Sequence, residues 1–360
     1  MKVSQFSKLA QVLVLAAGLS LTTNAIAGGN KCKEVDIPKA ALINGGMLAA
    51  QTIDTINKQR AKAQARGEEL DVVIIARTGT DPGSSVVMRD FDASGRFLTM
   101  RDLYGKDDQY DNSNNSNHLS HINKMVDKSR KLVYSHLGLA FRNHPLAEQI
   151  QAERNLPEKP WVMVHMLKPC GTLVPDLFDE GIWNFFLDDP YKYGSTVIVP
   201  TYDFQKRLEQ VVLQDEISYS FLGPKYNALA LFDDVHEQNS NQWVLEVFAA
   251  AMAPRGQVRN RADAIRVLKQ TNYIPTRMHL RGKYAFAKLF GPDSVSFKKQ
   301  GGYGDLVQVI SVLSMREYMK RNKIFMSETP IDIPENVLIK DDSKSYNNGN
   351  NWDNNNGGDH

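Results

Sequence analysis

The chain has 360 residues, with 43 Lys and Arg against 41 Asp and Glu, 42% hydrophobic residues and two cysteines. This length can bury the core of one large or two ordinary domains, so the fold does not require a disulfide scaffold. The formal charge of +2 argues against a protein that mainly grips nucleic acid, and the composition excludes the collagenous, fully disordered and polytopic membrane classes.

The first 27 residues have the pattern of a secretory signal. Lys2 and Lys8 precede an apolar stretch at residues 9–21 that is short for a bilayer span, and Ala25 and Ala27 give a small-x-small cleavage pattern. The alternative is an uncleaved membrane anchor. Cleavage after Ala27 removes two lysines and no acidic residue, so the mature chain would be formally neutral. The pattern predicts a periplasmic protein with no transmembrane segment after cleavage.

Export bears on the two cysteines, Cys32 and Cys170. An oxidising periplasm would permit a disulfide between them, but two thiols in a sequence do not establish proximity. The sequence therefore leaves their pairing open. His118 and His121 lie three residues apart with no thiol nearby, so we expect no metal site. We also expect no cofactor, because the chain has no Gly-rich phosphate loop.

The N-terminal part of the expected mature chain favours one helix and one strand. Residues 28–69 are expected to form an extension with an amphipathic helix over 40–66, whose apolar face is expected to pack on the core. A short β-branched run predicts a strand at 71–77. Residues 79–126 lack a sustained period and are expected to form a polar surface insertion.

The remaining elements alternate irregularly, without βαβ repetition, which favours the α+β class. The main domain is placed at residues 70–330, and the Asn-rich residues 340–360 are expected to form a disordered tail. The patterns predict strands at 131–142, 161–167, 194–200 and 307–312, and helices at 202–214, 239–253, 261–270 and 281–290.

Three segments contain residues that could carry chemistry. His136 and His165 each lie within a predicted strand, and Ser240 lies at the start of the predicted helix at 239–253. A helix N-terminus offers unpaired N–H groups that can stabilise an oxyanion, and a neutral imidazole suits a general base near pH 7. The simpler alternatives are structural histidines and a plain helix N-cap at Asn239 or Ser240.

Five segments, in this order, resemble the bacterial domain-of-unknown-function family numbered 2145, over roughly residues 70–320. They are RTGTD (77–81), YSHLGLAFR (134–142), WVMVHMLKPCGT (161–172), LFDEGIWNFFLDDP (177–190) and QNSNQWVLEVFAAA (238–251). That family in turn is similar to circularly permuted papain-like peptidases of the NlpC type, which act on cell walls. The resemblance implies a papain-like core with an antiparallel sheet packed on helices.

In the permuted arrangement a histidine strand of type SHxGL comes first, a second polar residue follows, and a Cys-Ser helix start comes last. His136 matches the histidine strand, His165 is the candidate third member, and Ser240 stands where the thiol belongs. The resemblance thus implies a Ser240 nucleophile with His136 as its base and His165 as the orienting residue. Substrate-binding amides are expected nearby, at Asn239, Asn241 and Gln242.

Three interpretations remain open. The first is a hydrolase or acyltransferase acting on amide or ester bonds, with a cell-envelope peptide or acylated molecule as its substrate and no nucleic-acid partner. The second is a catalytically inactive papain-like module that binds an envelope peptide, glycan or protein. The third is a well-capped helix with no chemical role. The distance between His136 and Ser240 tests the first interpretation against the third, because proton transfer needs hydrogen-bond reach. Assays of Ser240 variants are needed to separate the first from the second.

Overall fold

The computed structural model of the chain describes residues 37–78, 86–88, 134–169, 171–187, 193–214, 217–280, 294–300 and 306–340. The expected signal segment, both cysteines and the helix predicted at 281–290 lie outside the described residues. So do most of the polar insertion, with His118 and His121, and the tail after residue 340.

A six-stranded antiparallel sheet, in the order β5-β4-β3-β1-β6-β9, forms the centre of the fold. Its strands are β1 (Val72–Arg77), β3 (His136–Phe141), β4 (Val162–Leu167), β5 (Asp176–Gly181), β6 (Gly194–Pro200) and β9 (Phe325–Asp332). A smaller antiparallel sheet consists of β2 (Val86–Met88), β7 (Thr276–Leu280) and β8 (Leu306–Val309).

Helices cover both faces of the larger sheet. They are α1 (Lys39–Gln64), α2 (Pro145–Arg154), α3 (Ile182–Leu187), α4 (Tyr202–Glu209), α5 (Ser240–Met252), α6 (Arg261–Gln270) and α7 (Val312–Arg321). Helices together with antiparallel sheets confirm the predicted α+β class. No helix in the described part of the chain combines the length and apolar character needed to cross a membrane.

Two predicted elements change conformation before their predicted ends. The helix predicted at 202–214 is α-helical only to Glu209 and continues as a π-helical turn, Gln210–Gln214. The strand predicted at 307–312 is wrong at its end, because β8 stops at Val309 and α7 begins at Val312. The physical reason is Ser311, whose hydroxyl accepts a hydrogen bond from the Ser314 backbone N–H and caps the new helix.

The central strand β1 shows how the core is divided. Val72 and Ile74 point to the face covered by α5, whereas Val73 and Ile75 point to the face covered by α1 and α3. All four side chains are buried, so β1 is covered on both faces and reads as a continuous apolar run. Helix α1 packs through its apolar residues into the second face, as its pattern predicted.

A buried polar cluster fixes the start of α5. Glu246, in the middle of α5, is fully buried and pairs with Arg261 of α6 through two oxygens at 3.0 and 3.1 Å. Arg261 also donates to the backbone carbonyls of Asp234, Val235 and Glu237, in the loop that precedes α5. Burial raises the pKa of Glu246 to about 7, although Arg261 opposes this shift. The cluster therefore ties the loop to the body of the helix.

Gly138 allows a close approach between β3 and β4. Leu139 pairs with Val164, so Gly138 comes opposite His165 in the antiparallel register. A Cβ atom at Gly138 would lie 2.9 Å from the His165 Cβ and 3.2 Å from the Val164 carbonyl oxygen. These atoms belong to or adjoin the backbone, so they cannot move aside as a long side chain can. The glycine of the SHLGL segment thus makes room for a candidate site residue.

We expect Arg261→Ala to destabilise the fold by about 3–5 kcal/mol, because it leaves Glu246 buried without its partner and frees three loop carbonyls. The measurement is urea unfolding followed by circular dichroism. Arg266→Ala is the matched control on the same helix, since Arg266 pairs with Asp263 in solvent. Equal stabilities of the two variants would contradict the role given to the Glu246–Arg261 pair.

We expect Gly138→Ala to destabilise the fold by about 1–3 kcal/mol through overpacking between β3 and β4. Gly181→Ala is the control, because a Cβ atom at Gly181 meets nothing within 4 Å. Both variants gain the same reduction in chain entropy, so their difference in urea-unfolding free energy isolates the steric effect. A Gly138→Ala variant as stable as Gly181→Ala would contradict it.

Candidate active site

The start of β3 and the start of α5 bring His136 and Ser240 into contact. Asn239 caps α5 by accepting a hydrogen bond from the Gln242 backbone N–H, and this places Ser240 in the first turn. The His136 Nδ1 atom lies 3.0 Å from the Ser240 Oγ atom, within hydrogen-bond distance. Both residues are largely buried, His136 at 6% and Ser240 at 8% exposure. The two residues lie 104 positions apart in the sequence.

The neighbouring strand β4 supplies His165 to the same cluster. Its Nδ1 atom lies 2.9 Å from the Nε2 atom of His136, and its side chain is fully buried. The imidazoles meet edge to face, with ring centroids 5.2 Å apart. The ring of Phe185, from α3, packs against both imidazoles at 5.5 and 5.1 Å. The structure therefore brings together the three residues expected to form the site.

Glu180 is a fourth member of the series of contacts that runs from Ser240 through His136 to His165, and no sequence pattern indicated it. Its Oε1 atom lies 2.8 Å from the His165 Nε2 atom. Glu180 lies on β5 opposite Met163 of β4, one diagonal step from His165. The LFDEGIW segment contains this carboxylate, but the pairing of β5 with β4 is needed to show which of its acids meets His165.

The surroundings of His136 keep its imidazole neutral. Burial, the positive charge of Arg77 and the neighbouring His165 hold the pKa of His136 well below its ordinary value of 6.5. Arg77 pairs with His136 across β1 and β3, and its guanidinium lies 5.2 Å from the centroid of the Phe185 ring. A neutral imidazole can accept a proton, so this environment suits a general base.

Tyr226 lies close to Ser240, and no sequence pattern indicated it. Burial raises the pKa of Tyr226 to about 12, although hydrogen bonding with the Ser240 side chain opposes this shift. The loop around Tyr226 is held by Gln238, whose backbone N–H donates to the Lys225 carbonyl and whose amide donates to Glu246. Because its pKa is raised, the Tyr226 phenol keeps its proton at neutral pH. The buried cluster that fixes α5 also positions this tyrosine.

The amide side chains expected to bind substrate are engaged within the protein. Asn239 caps α5. The Asn241 amide donates to the carbonyls of Ser135 and Ile310, at 3.1 and 2.9 Å. Gln242 donates to backbone carbonyls of the loop before α5, including that of Leu231. These amide donors thus hold α5 against its neighbours, and a substrate-binding role for the three residues stays a prediction.

The remaining expectations about this region concern disulfides and metals. Cys32 and Cys170 both lie outside the described residues, so their pairing stays open. Among the residues that the structure describes, no group of three or more His, Cys, Asp or Glu side chains is arranged to hold a metal ion. In the cluster itself the two imidazoles touch each other directly, at 2.9 Å.

Comparison with known proteins gives one match. No curated protein and no solved structure matches the chain. A family model described as an uncharacterized protein conserved in bacteria (DUF2145) matches residues 120–319, more than half of the chain. The match spans His136, His165, Glu180 and Ser240, so the whole chain of contacts lies inside it. The chain therefore belongs to the DUF2145 family of bacterial proteins.

Proposed function

We propose that this protein is a hydrolase or acyltransferase that uses Ser240 as a nucleophile on amide or ester bonds. The observation that supports this most directly is the 3.0 Å contact between Ser240 Oγ and His136 Nδ1 at the first turn of α5. A serine at its ordinary pKa is a weak nucleophile and needs a base within hydrogen-bond reach. His136 meets that requirement in distance, and its lowered pKa keeps it unprotonated.

The proposed reaction proceeds by acyl transfer. The Ser240 oxygen attacks the carbonyl carbon while its proton passes to His136, and the carbonyl oxygen becomes an oxyanion. Collapse of this intermediate breaks the bond to the leaving group, which takes the proton from His136. Attack by water on the resulting ester completes hydrolysis, and attack by another alcohol or amine completes acyl transfer.

The start of α5 supplies the groups that would stabilise the oxyanion. The first N–H groups of a helix have no acceptor within the helix, and the positive end of its dipole favours negative charge. Ser240 and Asn241 occupy these first positions, while the N–H of Gln242 is already bonded to Asn239. We therefore assign oxyanion stabilisation to the backbone at Ser240 and Asn241.

We also infer that the core is papain-like and circularly permuted, as in the NlpC-type peptidases. The order of the residues along the chain supports this, because the histidine strand comes first, the second polar residue follows on the neighbouring strand, and the helix carrying the nucleophile comes last. The antiparallel sheet with α5 against β3 and β4 is consistent with it. This chain differs in having a serine where those enzymes have a cysteine.

The proposed location and substrate rest on the N-terminal segment and on that likeness. We propose that residues 1–27 direct export and that the mature protein acts in the periplasm. Cell-envelope peptides and acylated envelope molecules are the amide and ester compounds that an exported bacterial enzyme of this kind would meet. Muropeptides and acyl esters are therefore the substrates to test first.

We expect a fluorophosphonate probe to label the wild-type protein at Ser240, because such probes react with serines whose hydroxyl is activated by a base. Ser240→Ala should abolish labelling, and His136→Ala should slow it at least about 100-fold through loss of the general base. The measurement is the second-order labelling rate, with mass spectrometry to locate the modified residue.

Ser220→Ala is the matched control for this experiment, because Ser220 is exposed and hydrogen-bonded only to nearby carbonyls in the described region. Labelling that survives Ser240→Ala would exclude Ser240 as the nucleophile. A wild type that stays unlabelled, while Ser240→Cys is alkylated in a His136-dependent manner, would instead indicate the inactive binding module.

We expect the labelling rate to fall as the pH is lowered, with a midpoint below pH 6.5. Only unprotonated His136 can accept the serine proton. The sign follows from the lowered pKa of His136. Stability contributed by the neutral imidazole is present above pH 6.5 and is lost as the pH falls towards its folded-state pKa. Circular dichroism at each pH separates loss of labelling from unfolding. A midpoint above pH 6.5 would contradict the proposed environment of His136.

A further inference from the structure

The direction of the hydrogen bonds in the cluster matters as much as their distances. A neutral imidazole has one N–H donor and one acceptor nitrogen, and either nitrogen can carry the proton. Contacts of 3.0 and 2.9 Å on the two sides of His136 therefore fit two opposite arrangements. In only one of them does Nδ1 of His136 accept the proton of Ser240. A residue beyond His136, on the side away from Ser240, must select this arrangement.

We propose that Glu180 is a positioning residue that fixes the direction of every hydrogen bond between itself and Ser240. The catalytic part of this inference rests on the proposed serine chemistry, but the direction of the bonds does not. The Glu180 Oε1 atom lies 2.8 Å from His165 Nε2, and the Glu180 side chain is 14% exposed. An ionised carboxylate accepts hydrogen bonds and cannot donate them.

The direction of each hydrogen bond then determines the direction of the next, from Glu180 through the two histidines to Ser240. Because Glu180 only accepts, a singly protonated His165 carries its proton on Nε2, and its Nδ1 atom is an acceptor. The Nε2 atom of His136 must then carry a proton and donate it to His165. The Nδ1 atom of His136 is left as an acceptor facing Ser240. The serine hydroxyl donates to the base, as proton transfer during nucleophilic attack requires.

Removing the carboxylate would leave the opposite direction available. A glutamine at position 180 could donate from its amide to His165 Nε2, so that His165 and then His136 would each donate from Nδ1. The Nδ1 proton of His136 would then point at Ser240 Oγ, and the serine would have no base for its proton. The two imidazoles contact each other at 2.9 Å, so the directions of their hydrogen bonds would reverse together.

Neighbouring Asp179 provides a matched comparison. It carries the same charge on the same strand, but successive residues of a strand point to opposite faces. Its carboxylate lies 3.4 Å from Nε2 of His144, the residue that caps α2. Asp179→Asn therefore removes one negative charge from β5 without touching the contacts between Glu180 and Ser240.

The test is histidine tautomer assignment by nitrogen-15 NMR on the full chain, with its eight histidines labelled and with His136→Gln and His165→Gln used for assignment. In the wild type at neutral pH we expect both His136 and His165 to carry their proton on Nε2. We expect Glu180→Gln to give a mixture that includes the Nδ1–H form of His136, and Asp179→Asn to leave the wild-type pattern. A wild-type His136 with its proton on Nδ1, or a doubly protonated His165, overturns the proposal.

Fluorophosphonate labelling rates of the same variants test the chemical consequence. We expect Glu180→Gln to slow labelling at least about tenfold, by analogy with the larger loss when the partner of a catalytic base is made neutral, and Asp179→Asn to stay within about twofold of wild type. Wild-type labelling rates and tautomers in Glu180→Gln would overturn the role of Glu180 and leave the proposed function standing.

A different outcome is a wild type that is never labelled but has both histidine protons on Nε2, with that pattern lost in the Glu180→Gln variant. It would overturn the proposed function and support the positioning role of Glu180. If Glu180→Gln does not fold, the wild-type spectrum decides, because a proton on Nδ1 of His136 is incompatible with the proposal.

Discussion

Two buried imidazoles on one sheet face, beside the guanidinium of Arg77, impose the constraint on which the site depends. His136 and His165 lie in contact under Phe185, where a second positive charge is unfavourable. Each therefore needs a donor and an acceptor from its surroundings, and the pair needs one polar partner at each end. Ser240 fills that need on one side and Glu180 on the other. The consecutive pairing of β3, β4 and β5 and the placement of α5 bring these four groups together.

The polar groups that support α5 obey a different rule. Glu246 and Arg261 are buried as an ion pair, so charge is compensated locally and the pair can anchor the carbonyls of the preceding loop. In the His136–His165 cluster the carboxylate, that of Glu180, stands at the partly exposed end of the series of contacts. The first cluster thus holds the backbone in place, and the second, on the proposed mechanism, keeps neutral groups in position to move a proton.

The sequence predicted those parts of the fold whose burial produces a simple pattern. Strand β1, covered on both faces, reads as a continuous apolar run, and α5 has helical spacing with an asparagine cap. The edge strands β5 and β9 were missed because most of their residues are partly or fully exposed and several are acidic, which hides the apolar alternation. Ser240, His136 and His165 were identified through their match to family motifs. Glu180 and Tyr226 were missed, because their roles depend on strand register and on a loop anchored far away in sequence.

The environment of His136 also bears on how a serine would work where the papain-like enzymes that we propose as relatives use a cysteine. A thiol and an imidazole can rest as a thiolate–imidazolium pair, which needs a histidine that readily takes a proton. A serine needs a base that is neutral until the moment of attack. Burial and Arg77 disfavour the resting imidazolium of His136, so the site suits the second chemistry better than the first. On the proposed mechanism, when His136 takes the serine proton, its Nε2 proton points through His165 towards the Glu180 carboxylate, which stabilises the positive charge that attack creates. On that mechanism, burial and Arg77 keep the base neutral at rest, and the Glu180 carboxylate favours the step in which the base becomes charged.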